Sequence, residues 1–156
     1  MSIVTSLDEV DLRLIAHLRR QPRSSVVQMA RAVGIARGTA YSRLDRLEST
    51  GVISGYGPDV DPVRAGLGVL AFCTLEIVQG SHDATVDALT VIPQILEIHT
   101  ITGSGDLLCR VVARSNDHLH AVLQHIAAVT TVRRSQTQLA LSTSMHRTIA
   151  DVLVGG

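Results

Sequence analysis

The stretch SVVQMARAVGIARGTAYSRLDRLESTG, residues 25–51, decides how the N-terminal part folds. Its apolar residues recur twice at helical spacing. Val26, Met29, Ala30 and Val33 line one face of a short helix over about 25–33, with Ser24 or Ser25 as its cap and Gly34 at its end. A few residues later a second helix, over about 37–50, turns Ala40, Leu44 and Leu47 inward and closes at Gly51. The positions left for its outward side are Arg37, Gly38, Thr39, Ser42, Arg43 and Arg46. These small, hydroxyl and guanidinium groups suit a major groove and its phosphates, where a merely solvated face would mix Glu and Lys. The competing reading is a generic three-helix bundle in which the arginines are solvated, or Arg43 pairs with Asp45 or Glu48.

Working back from this stretch, residues 8–20 read as a further helix. Asp8 is a candidate cap with Asp11 three positions on, and Leu14, Ile15 and Leu18 supply the apolar face. Gln21-Pro22 stops it, since proline has no backbone donor to continue the ladder. Three short helices, the last two joined by a tight glycine-containing turn, predict a winged-type helix-turn-helix domain over 1–54. Charge agrees with that division. Residues 1–54 hold eight Arg against five acids, and the remainder six Arg against nine acids. A basic front half suits a polyanion partner, here double-stranded DNA. There is no Lys, so every cationic phosphate contact falls to Arg.

Working forward, residues 55–68 carry four Gly and two Pro and mark a domain boundary. Val52-Ile53 and Val60 suggest an extended stretch, so a strand or hinge is expected over 55–67. Beyond it the pattern is βαββαβ: a strand at Val69–Val78, a helix at Asp83–Val91 capped by Ser81 or His82, and strands at Ile95–Thr102 and Leu107–Ala113. A helix at Asp117–Val129, with Asn116 as its cap, and a strand at Val132–Thr143 follow. This order folds as a four-stranded antiparallel sheet with both helices on one face, the ferredoxin-like plan, giving an α+β chain overall. The second domain is expected to span 68–156, with a short helix in the tail 145–156. Strand residues apolar on both alternations, such as Leu70–Cys73 and Val111–Ala113, predict that the helix-free face is covered by a second copy.

Several function classes are disfavoured. With no Trp, one Phe and two Tyr, there are few rings on which to stack single-stranded bases. No apolar run reaches the ~18 residues needed to cross a membrane, and the start lacks a signal-peptide layout, so the expected compartment is the cytoplasm. Cys73 and Cys109 read as two buried thiols. His118 and His120 point apart on a helix, and His125 lies two turns from His118, so no metal and no cofactor are expected. No nucleophile, base and orienter converge in the sequence, so a non-enzyme is expected.

The chain resembles the Lrp/AsnC (feast/famine) family of transcriptional regulators over nearly its whole length. The resemblance is carried by Leu7-Asp8 with Asp11, by Met29–Ile35, and by Arg43 with Leu47-Glu48. Gly51-Val-Ile-Ser-Gly-Tyr56, Pro62 and Gly66 at the hinge, and Thr102-Gly-Ser-Gly-Asp106 complete it. The sequence departs from the family at Pro22-Arg23, at Ala36, where a capping Ser is usual, and at Ser104-Gly105. What the resemblance implies is a homo-oligomer, a dimer assembling further to an octamer. Its implied effector is a small metabolite, usually an amino acid, held near Thr102, Gly103, Ser104, Gly105 and Asp106. Read from the residues alone, Gly103 and Gly105 also suit a plain hairpin turn and Asp106 its cap, and Gln136 and Gln138 on the last strand reach the same cleft from a neighbouring copy. The same fold also implies two alternatives: an enzyme resembling sirohaem decarboxylases, for which His99 is the one residue to offer, and an effector-independent nucleoid-associated protein.

Overall fold

The computed structural model describes residues 6–155, which fall into two compact units. One comprises the chain to Pro58 together with the segment from Met145; the other is Asp59–Ser144.

The helical unit is built from α1 (Glu9–Arg20), α2 (Val26–Val33) and α3 (Arg37–Ser49). Each boundary has a local cause. Asp8 caps α1 in a reciprocal box, its carboxylate accepting the Asp11 amide at 3.0 Å while Asp11 accepts the Asp8 amide at 3.1 Å. Ser25 and Gln28 make the equivalent box on α2, so the cap is Ser25 and not Ser24. Gly34 ends α2 in the left-handed region at φ 76°. Ala36, as its side chain dictates, offers α3 no capping bond. Leu14, Met29, Val33 and Leu44 pack as the core of this unit, and Ala40 and Leu47 are also buried.

The sheet unit contains β1 (Val69–Ile77), α4 (His82–Thr90), β2 (Ile95–Thr100), β3 (Leu107–Ala113), α5 (Asn116–Ala127) and β4 (Val132–Ala140). All three pairings are antiparallel, in the order β2-β3-β1-β4, as a βαββαβ chain of this plan requires. Ala71, Cys73 and Leu75 of β1 stand opposite Val111, Cys109 and Leu107 of β3. This face packs with Leu89 of α4 and Leu119, Val122 and Ile126 of α5 as the core. The α5 cap is Ser115, whose hydroxyl accepts the His118 amide, one residue before the expected Asn116.

Two expectations need correction. No strand forms over 55–67; the segment contains a turn in which the Ala65 amide donates to Asp61 and the Leu67 amide to Pro62. Pro58 and Pro62 carry no donors, and among the described residues this exposed segment has no strand of the β2-β3-β1-β4 sheet beside it with which to form a ladder, so water satisfies its backbone. The tail, expected in the second domain, clusters with the first. Its helix α6 (Ile149–Val154) contacts α1, with Asp151 Oδ1 3.4 Å from Arg19 Nε.

Cys73 and Cys109 are both buried within the helix-covered face, one directly across from the other. Burial raises the Cys73 thiol pKa, partly offset by the Thr137 hydroxyl, and pushes Cys109 up to about 12, with Cys73 adding to the shift. Neither thiol is therefore expected to react with iodoacetamide in the native protein at pH 8, and both to react in denaturant. Rapid labelling of the native chain, counted by mass spectrometry, would contradict this burial.

Candidate nucleic-acid interface and effector turn

The exposed side of α3 begins at its first turn. Arg37, Gly38, Thr39, Tyr41 and Ser42 are all exposed, and Asp45 and Glu48 follow them. Gly38 has nothing within 4 Å of the position where a Cβ would stand, so no packing in this chain requires a glycine there. Tyr41 is 65% exposed. Tyr41 is not among the α3 residues that the sequence singles out, although its phase is off the Ala40, Leu44, Leu47 stripe. That offset was the available signal.

Arg43 and Arg46 are placed differently from the outward position that helical phase alone assigns them. Arg43 Nη1 lies 2.8 and 2.7 Å from the two Asp8 oxygens and 2.9 Å from Asp11 Oδ1. Arg46 Nη2 donates to Asp11 Oδ2. The pairing considered for Arg43, with Asp45 or Glu48, is replaced by one with acids more than thirty residues away. Asp11 itself is fully buried. Burial pushes its carboxyl pKa up, but hydrogen bonds from Arg46, the Asp8 amide and Arg43 outweigh this and leave it below its ordinary value. Asp8, bonded chiefly by Arg43 and next by the Asp11 amide, is held down to about 2. Nearby, the Tyr56 hydroxyl donates to Glu48; burial, reinforced by that carboxylate, raises the phenol to about 12.

In the sheet unit the β2–β3 connection forms a compact turn. Its ends are held by the Ile101 amide on the Asp106 carbonyl at 3.0 Å and by the Asp106 amide on Leu75 O at 2.8 Å. Gly103 and Gly105 have φ of 103° and 123°, a region that L side chains rarely adopt. Asp106 Oδ2 accepts the Ile77 amide at 2.8 Å, where the β1–β4 register shifts between Glu76 and Ile77. One carboxylate oxygen thus secures a bulge amide.

Thr74, which Gly105 approaches closely, stands opposite Gln136 on β4, and Phe72 stands opposite Gln138. The structure therefore brings the turn and Gln136 to the same stretch of β1 within one chain, with Gln138 two positions along. Thr102, Gly103 and Ser104 are exposed. His99 is tied to Glu97 at 3.1 Å, and Arg110 reaches the same carboxylate at 2.7 Å. Among the described residues no group of three or more His, Cys, Asp or Glu side chains is placed to hold a metal ion, and no helix is long and apolar enough to cross a membrane.

A trihelical domain with an exposed third helix, followed by an antiparallel βαββαβ domain, defines a regulator with separate DNA-binding and ligand-binding parts. Residues 7–48 match the AsnC-type helix-turn-helix domain, and residues 70–150 match the Lrp/AsnC ligand binding domain. The chain belongs to the Lrp/AsnC family and is a transcriptional regulator with a ligand-binding domain.

Among its relatives, the HTH-type transcriptional regulator Rv2324 of Mycobacterium tuberculosis is 31% identical over 147 residues, 90% of this chain and 96% of that protein. The fold matches that of Escherichia coli AsnC with a TM-score of 0.87 at 22% identity, covering 94% of this chain and 99% of the other. It also matches a Neisseria meningitidis transcriptional regulator solved as its L-Met complex, with a TM-score of 0.82 at 23% identity over 92% and 95% of the two chains.

Proposed function

We propose that α3 is the recognition helix of a double-stranded DNA regulator, and that the turn Thr102–Asp106 with Gln136 and Gln138 receives a small effector, an amino acid. The observation that carries the DNA reading is the exposed first half of α3. It presents a guanidinium, two hydroxyls, a phenol and a gap at Gly38, with no acid before Asp45. Arg37 stands in the first turn, where unpaired backbone amides and the helix dipole favour a phosphate.

The effector reading is supported by two glycines that leave backbone amides approachable, beside amide side chains and the second Asp106 oxygen, groups suited to an α-carboxylate and an α-ammonium. The L-Met in the Neisseria meningitidis complex illustrates the ligand class. The sheet face without helices carries Leu70, Phe72, Leu108 and Val112, which supports a dimer through this face and assembly to an octamer. Action in the cytoplasm, without a cofactor or catalytic step, follows from this reading.

The test is a gel shift on duplex DNA from upstream of the protein's own gene, repeated with each of the twenty amino acids at about millimolar concentration. A shift altered by one or two of them supports regulator and sensor together. A shift that none alters refutes the amino-acid effector and favours an architectural role, and loss of any shift on genomic fragments would refute DNA binding. Arg37→Ala should weaken binding about tenfold and reduce the salt slope by about one per subunit. Unchanged affinity would remove Arg37 from the interface.

A further inference from the structure

Arg43 and Arg46 sit on the proposed recognition helix, yet their charge is committed elsewhere. Asp11 is 0% exposed and ionised, a state that persists in a protein interior only when the charge is paired and hydrogen-bonded. Both of its oxygens are used. Oδ1 takes Arg43, and Oδ2 takes Arg46 and the Asp8 amide. Asp8 completes the set by taking Arg43 on both oxygens. Two arginines face two aspartates, so the cluster is neutral. Moving either guanidinium to a solvated phosphate would strip a buried carboxylate of a partner, which a contact in water does not repay.

The geometry has a second consequence. Arg43 and Arg46 are three positions apart, neighbours on one side of α3, and both converge on one carboxylate in the first turn of α1. A single anchor fixes a point on a helix and leaves it free to roll about its axis. Two anchors fix the roll. With side chains roughly 5–6 Å from the axis, a roll of about 20° displaces their tips by roughly 2 Å, enough to break a hydrogen bond to a base edge.

Resting on the DNA-binding reading above, we propose that Arg43 and Arg46 are positioning residues that set the angle of α3 through Asp11 and Asp8. DNA is then contacted by the exposed Arg37, Thr39, Tyr41 and Ser42. Specificity depends on the clamp, and the count of neutralised phosphates does not.

The experiment uses the full-length protein, a duplex enriched by it from a randomised pool, and poly(dI-dC) as the non-specific probe, over a series of salt concentrations. Asp11→Asn should cut the ratio of specific to non-specific affinity at least tenfold, with non-specific binding equal or tighter because a negative charge is gone. Arg46→Gln, which keeps the Asp11–Arg43 pair, should lower the ratio several-fold and leave the non-specific salt slope unchanged. Arg37→Ala should reduce that slope by about 0.9 per subunit. Tyr41→Ala should lower specific affinity several-fold without moving the melting temperature.

Tighter specific binding by Asp11→Asn, or a slope reduced by about 0.9 per subunit in Arg43→Gln or Arg46→Gln, would make these arginines phosphate contacts and overturn the proposal. Should Asp11→Asn fail to fold by circular dichroism, the two arginine slopes decide. If the wild-type protein enriches no duplex, the DNA-binding reading itself fails, an outcome separate from failure of the clamp.

Discussion

Gly105→Ala is expected to destabilise the sheet unit by about 2–5 kcal/mol, and Gly103→Ala by only ~1–2 kcal/mol, although both glycines lie in the same turn with positive φ. Both substitutions incur the backbone strain. The difference is space. A Cβ at Gly103 meets nothing within 4 Å, whereas one at Gly105 would stand 2.4 Å from Thr74 Cγ2 and 3.4 Å from Leu75 O. Thr74 cannot swing aside cheaply, because a β-branched side chain on a strand has few rotamers. Nor can Leu75 O move, since it accepts the Asp106 amide that closes the turn. The overlap therefore passes into the β1–β3 pairing.

Urea unfolding of the single variants and of Gly105→Ala with Thr74→Ser separates the two contributions. Removing the Thr74 methyl should restore the clash part, about 1–2 kcal/mol, and leave the strain part in place. Equal losses for Gly103→Ala and Gly105→Ala would show that the turn does not press against Thr74. Because the turn is also the proposed effector site, an effector response lost in Gly105→Ala and regained in the double variant would tie the pocket to this contact.

The parts of this molecule that were legible in its sequence are those set by neighbours along the chain. Asp8 and Asp11, three apart, announce a cap; Val26, Met29, Ala30 and Val33 announce a helix face; the order of strands and helices leaves the ferredoxin-like plan as the simple way to close the sheet. What the sequence concealed depends on residues far away. The sequence offers Arg43 the nearby Asp45 and Glu48 on its own helix, while its partners Asp8 and Asp11 lie at the start of another one. Asp106 reads as a turn residue facing a ligand, but its Oδ2 accepts the Ile77 amide where β1 and β4 shift register between Glu76 and Ile77, a feature of strand pairing. The tail helix reads as short in either location, and the Arg19–Asp151 pair and its contacts with α1 tell where it belongs. No strand stands over 55–67 for a related reason: Val52, Ile53 and Val60 suggest an extended stretch, but a partner to pair with is what makes one a strand.

Acid should act on the helical unit before the sheet unit. The sign follows from where the depressed carboxylates lie. Asp8 is held to about 2 chiefly by Arg43, and Asp151 to about 2 chiefly by the Thr148 amide and hydroxyl, with Arg19 contributing; Asp11 also lies below its ordinary value. All three belong to the helical unit. In the sheet unit, among the described residues, only Glu97 is similarly depressed, by His99 and then Arg110. A carboxylate whose folded pKa is below its unfolded one, near 3.9 for Asp, stabilises the fold fully above that value. It loses that contribution as pH falls through the folded pKa, here from about pH 4 towards pH 2. Protonating Asp11 also leaves Arg43 and Arg46 facing each other one turn apart without their shared anion.

Both tyrosines, Tyr41 and Tyr56, lie in the helical unit and there is no Trp, so tyrosine fluorescence follows that unit alone while far-ultraviolet circular dichroism follows both. At low ionic strength the tyrosine transition should come at the higher pH, and added salt should narrow the gap by screening the exposed Asp8 and Asp151 pairs. Asp11→Asn should shift the helical transition further towards neutral pH, because the unit then begins without the buried anion that both arginines share. Coincident transitions, or loss of the sheet first, would mean that these pairs do not govern the acid stability of the DNA-binding unit.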